Sequence, residues 1–117
     1  MARKRAPSMP MLLGYPVFEI SEATLQSDIL TYLGLLGIPA WSTHSSRNHP
    51  ETPGMADVIG VLPGGRFLAI ECKAQDGRTT EAQVAWLRDV HKAGGLAFVA
   101  RDLDTVQNLI ETHRRSL

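Results

Sequence analysis

A single cysteine, Cys72, stands in the 117 residues, which excludes an intrachain disulfide and a multi-cysteine zinc site and suits a reducing compartment. Net charge is missing as well. Twelve basic residues balance 12 acidic ones, so no global positive field draws in a polyanion. Any affinity for phosphate must come from a local patch or a bound cation. Long apolar runs are absent too: basic residues precede Met11, Leu12 and Leu13 in the manner of a leader, but Pro7, Pro10 and Pro16 interrupt the segment. It is too short and broken for export or for a membrane span. Neither an internal repeat nor a low-complexity tract occurs.

What is present suffices for one compact domain, with 44% apolar residues to form one core. Residues 1–20 read as a flexible or loosely docked arm, and 21–117 as a single domain. Positive charge gathers at Arg3, Lys4 and Arg5 and at Arg114 and Arg115; solvated termini explain both clusters as well as a binding role does.

The periodicity predicts a first helix over 22–36, capped by Ser21, with Leu25, Ile29, Leu33 and Leu36 on one face and Gly37 as the stop. A short strand follows around Trp41. The polar stretch 45–54 reads as a long loop suited to binding. Residues 57–62 and 66–73 are strand-like, and Pro63, Gly64 and Gly65 between them predict an antiparallel hairpin. Thr80 and Gln83 form a capping box for a second helix with Trp86, Leu87 and Val90 inward, and Gly94 and Gly95 end it. A buried strand over 96–100 precedes a last helix capped by Asp102 or Asp104, with Val106, Leu109 and Ile110 facing the core. The order αβββαβ followed by a C-terminal helix makes an α/β fold the expectation, a mixed β-sheet flanked by helices whose last strand runs parallel after a helical crossover.

Within that frame Asp57, Glu71 and Lys73 carry the chemistry. Strand alternation puts Glu71 and Lys73 on one face, about 7 Å apart, and Cys72 on the other. Hairpin pairing returns the end bearing Asp57 towards them. Two carboxylates with open positions beside them suit Mg²⁺ or Mn²⁺, and the Cys72 backbone carbonyl is a further candidate ligand while its thiol turns away. Such an ion acidifies water for in-line attack on phosphorus, and Lys73 orients that water or offsets the charge that develops. The plainer alternative for the triplet alone is a surface ion pair worth about 0–1 kcal/mol. Its setting argues otherwise, since an uncompensated carboxylate at the end of an apolar strand is costly.

Taken in order, Glu22 on the first helix, GMAD ending at Asp57, IECK with Glu71 and Lys73, and TEAQVAWL with Gln83 resemble the PD-(D/E)XK nuclease superfamily, and within it the VRR-NUC branch. The resemblance spans about residues 21–101. It implies a restriction-endonuclease-like fold and a Mg²⁺- or Mn²⁺-dependent endonuclease acting on DNA, with branched DNA such as four-way junctions as substrate and a homodimer as the working form. Under it Asp57 and Glu71 are metal ligands, Lys73 is the catalytic lysine, Glu22 adds an acid directly or through water, and Gln83 contacts the site or the nucleic-acid backbone. Ala56 stands where many members carry proline. Glu22 and Gln83 also have plain structural readings, as a first-turn acid favoured by the helix dipole and as the second half of a cap. Glu19 is the alternative acid if the helix starts earlier.

In the long loop His44, Ser46, Arg47 and Asn48 are of the types that contact phosphate and sugar. A transition-metal site from His44, His49 and Cys72 is disfavoured because alternation buries the thiol and neither CxxC nor HExxH spacing occurs. The PGGR turn lacks phosphate-loop spacing, which argues against nucleotide hydrolysis. Trp41 and Trp86 read as core residues rather than base-stacking platforms. A cytoplasmic or intracellular location is the expectation, including that of a phage protein in its host's cytoplasm. The competing class is a noncatalytic nucleic-acid- or partner-binding module that retains the nuclease fold.

Overall fold

The computed structural model describes residues 11–12, 15–16, 20–43 and 52–116. Two short strands, β1 (Met11–Leu12) and β2 (Tyr15–Pro16), pair antiparallel, an element the sequence reading did not find. The rest follows the expected order: α1 (Glu22–Leu35), β3 (Ala40–Ser42), β4 (Val58–Val61), β5 (Phe67–Cys72), α2 (Glu81–Lys92), β6 (Leu96–Ala100) and α3 (Leu103–Arg115).

Helix α1 begins where the Ser21 hydroxyl accepts the Thr24 N–H at 3.2 Å. It ends in a Schellman closure, with Gly37 at φ +73° and the Ile38 N–H returning to the Leu33 carbonyl at 2.9 Å. The buried Leu25, Ile29 and Leu33 then face the sheet, whose order is β3-β4-β5-β6. Strands β3, β4 and β5 run antiparallel, and β6 joins parallel to β5 because α2 carries the chain back across the sheet.

Two cores lie on opposite faces of that sheet. Helices α1 and α3 cover one face, where Leu25, Ile29, Leu33, Val106 and Ile110 enclose Val58, Leu68, Ile70 and Cys72. Helix α2 covers part of the other. There Leu87 packs with Ala56 and Ala69, and Trp86, Val90, Ala97 and Val99 are partly buried around them.

Two expectations about side-chain placement need correction. Leu109 is only partly buried, and the buried positions of α3 are Val106, Ile110 and His113. Trp41, expected in the core, is 56% exposed: β3 is an edge strand, and α2 lies over β5 and β6, so among the described residues nothing of the second layer lies above the tryptophan's side. Among the described residues no helix is long and apolar enough to cross a membrane.

Asp102 is the cap of α3, its Oδ1 accepting the Thr105 N–H at 2.7 Å. The backbone bond from Thr105, reinforced by the Thr105 side chain, holds this carboxyl below its ordinary value. A depressed folded value means that the cap's contribution is complete above the unfolded carboxylate range and is lost as pH falls through the folded value. Asp102→Ala should therefore cost about 1 kcal/mol near neutral pH. The gap between the urea unfolding curves of wild type and variant should shrink on acidification.

Candidate active site

Continuing the β4–β5 register by one pair beyond Val58 and Ile70 sets Asp57 opposite Glu71. Both carboxylates are buried, at 4% and 1% exposure. The Cys72 N–H donates to Asp57 Oδ2 at 2.9 Å, so the side chain of one strand end is tied to the backbone of the next. The parallel ladder likewise runs one residue past β5, with the Lys73 N–H bonded to the Ala100 carbonyl at 3.0 Å. Alternation then keeps the Lys73 side chain on the Glu71 side. The Cys72 thiol is on the opposite side, in the α1–α3 core, where it cannot join these carboxylates.

The segment leading into Asp57 is clamped from two directions. From β3, the Thr43 N–H donates to the Asp57 carbonyl at 2.9 Å and the Thr43 hydroxyl donates to the Ala56 carbonyl. From α2, the helix start lies directly against Gly54. That glycine has φ +80°, and a Cβ there would overlap the Ala82 carbonyl and sit 2.7 Å from the Gln83 nitrogen.

Gln83 itself closes the expected capping box, its Oε1 accepting the Thr80 N–H at 2.9 Å while its own N–H donates to Thr80 Oγ1 at 3.1 Å. It therefore borders the Asp57 loop through its backbone, with its carbonyl oxygen engaged in the cap. Glu22 reaches the same end of the sheet by another route. Its Oε1 accepts the Ala74 N–H at 3.4 Å, one residue beyond Lys73.

One residue near the site was missed in the sequence. Arg101 Nη1 donates to the carbonyls of Ala74 at 2.6 Å, Gln75 at 3.3 Å and Gly77 at 2.6 Å, gathering the turn that follows Lys73. The available signal was its position just after β6, because a strand parallel to β5 must end beside it. His44, Ser46, Arg47, Asn48 and His49, and the alternative acid Glu19, lie outside the described residues.

The donor set assembled at Asp57 and Glu71 is made of carboxylate oxygens, which fit a hard cation such as Mg²⁺ or Mn²⁺ and offer nothing soft for zinc or copper. Among the described residues no group of three or more His, Cys, Asp and Glu side chains comes together around a metal position. Two carboxylates are what the strand pairing supplies, with Glu22 held by the turn after β5.

Gly54→Ala should destabilise the protein by on the order of 1–3 kcal/mol, since both the positive φ and the backbone contact oppose a methyl group. Gly34→Ala is the matched control: nothing lies within 4 Å of a Cβ in that exposed position of α1. It should be neutral or stabilising by up to about 1 kcal/mol. Chemical denaturation of the two variants measures the contrast.

A family model described as the VRR-NUC domain matches residues 5–102. No curated protein and no solved structure matches the chain.

Proposed function

The chain belongs to the VRR-NUC family, a nuclease family, and we propose that it is a Mg²⁺- or Mn²⁺-dependent endonuclease that hydrolyses DNA phosphodiester bonds at Asp57, Glu71 and Lys73. The observation that supports this reading best is the pair of buried carboxylates at facing positions of the hairpin, Asp57 just before β4 and Glu71 in β5, with Asp57 held by the Cys72 N–H. Side by side, they repel each other and favour a cation between them. A divalent ion held there supplies positive charge to the phosphate and acidifies the attacking water.

The protein's own groups do the remainder. Asp57 and Glu71 would hold that ion, and the phosphate through it, while the Cys72 N–H keeps Asp57 oriented by donating to Oδ2. Lys73 donates from its ammonium to the phosphate oxygen on which charge develops, or orients the water. The Cys72 carbonyl is a further oxygen ligand in this reading. Glu22 acts through the turn it holds at Ala74, and Gln83 through the helix start against Gly54, where its amide meets the nucleic-acid backbone. His44, Ser46, Arg47 and Asn48 contact phosphate and sugar. Branched DNA, including four-way junctions, is the substrate proposed. A homodimer places two such sites on symmetric strands.

A second reading, a noncatalytic nucleic-acid- or partner-binding module, draws support from the engagement of the Gln83 carbonyl in the cap and of Glu22 at Ala74. Two measurements separate the readings. In thermal unfolding, Mn²⁺ at a hundredfold over its Kd should stabilise the wild type by about 2.7 kcal/mol and do so far less for Asp57→Ala or Glu71→Ala. In cleavage of junction and flapped DNA, chelator should abolish activity and Lys73→Ala should lower it by about 10²-fold or more. Metal-induced stabilisation without cleavage of any duplex, flap, junction or single strand selects the module. Undiminished cleavage by the Asp57, Glu71 and Lys73 variants removes the site assignment.

A further inference from the structure

Trp41 sits in β3 opposite Ile59, which in turn pairs with Ala69 of β5. Its rotation is fixed by its neighbours. Ala40 packs into the α1–α3 core, and Ser42 accepts the Gln26 amide from α1 at 2.8 Å, so the intervening indole must project from the other face. That is the face of Asp57 and Glu71, each two residues further along its strand from the pair in line with Trp41. Asp57, the diagonal neighbour across one strand spacing, lies about 7–8 Å away, and Glu71, one strand further, on the order of 12 Å away. Helix α2 covers the β5–β6 half of the face, whereas among the described residues nothing of the second layer covers the β3–β4 half: Trp41 is 56% and Val61 38% exposed.

We propose that Trp41 is a base-stacking residue that receives an unpaired nucleobase adjacent to the phosphate held at Asp57 and Glu71. The inference rests on the nuclease reading above and adds a substrate class to it. Stacking needs a flat aromatic face in the open and tolerates any base, because every base has a π-face. It also meets a need set by composition. With 12 basic against 12 acidic residues, the chain has no net positive field to hold a polyanion, and stacking supplies affinity that does not depend on charge. Paired duplex hides its base faces, so the indole favours single-stranded flaps, ends and the open centres of junctions.

The test compares wild type, Trp41→Ala and Trp41→Tyr in binding to labelled oligothymidylate and to a fully paired duplex, by fluorescence anisotropy in chelator so that nothing is cut. Because Trp41 lies outside both cores, the variants should unfold as the wild type does. Trp41→Ala should weaken oligothymidylate binding by roughly five- to a hundredfold and duplex binding by less than about twofold, and Trp41→Tyr should restore most of the loss. Equal losses on the two ligands, or none on either, overturn the proposal. So does a wild-type particle mass that halves in light scattering on Trp41→Ala, which would make this face a contact between copies of the chain. The two readings fail separately. Trp41-dependent binding with no cleavage by the wild type removes the nuclease and leaves the platform, while cleavage of flapped DNA that needs Asp57 and Glu71 but ignores Trp41 removes the platform alone.

Discussion

The hydrogen bond from the Cys72 N–H to Asp57 Oδ2 is the constraint on which the rest of the structure depends. A buried carboxylate is tolerable only when its charge is met by donors or cations, and a hydrogen bond to a charged group contributes about 1.5–3 kcal/mol. Glu71 stands at the facing position, so a second carboxylate is buried beside the first. The surroundings are correspondingly rigid. Thr43 holds the backbone on one side of Asp57, Gly54 lets α2 press on the other, and Arg101 gathers the turn beyond Lys73.

The parallel pairing of β6 with β5 connects this rigidity to the topology. A crossover helix must lie over the strands it links, so α2 covers β5 and β6 and does not reach over β3 on the same side. One connection therefore has three consequences: it extends the ladder to Lys73, it brings the start of α2 against the loop before Asp57, and it leaves Trp41 in the open. The opposite face has no such asymmetry, because α1 and α3 together cover it and close a larger apolar cluster.

Much of this was legible in the sequence, for reasons that differ by element. The helices announced themselves through apolar spacing and end signals, and each cap, Ser21, Thr80 with Gln83, and Asp102, bonds as its residue type suggests. Alternation put the Cys72 thiol opposite Glu71, and the glycine-rich turn fixed the β4–β5 hairpin that sets Asp57 across from Glu71. Trp41 was misjudged because hydrophobicity favours burial, while exposure depended on which strand became the edge and how far α2 reached. Arg101 escaped notice because its partners are backbone carbonyls, which leave no trace in side-chain spacing. The two-residue strands β1 and β2 are too short for any periodicity to show.

The neutral composition and the buried carboxylates, at first sight unsuited to a polyanionic substrate, are compatible once the sources of affinity are separated. A basic surface attracts any phosphate backbone and releases counterions, so it binds tightly but indiscriminately and weakens steeply with salt. A chain with balanced charge forgoes that attraction. If a cation held by Asp57 and Glu71 meets the phosphate while the indole of Trp41 meets a base, each contact requires a distinct local feature of the nucleic acid, and an intact duplex offers only the first. Selectivity for opened strands then follows from having little nonspecific affinity to overcome, with no sequence readout required.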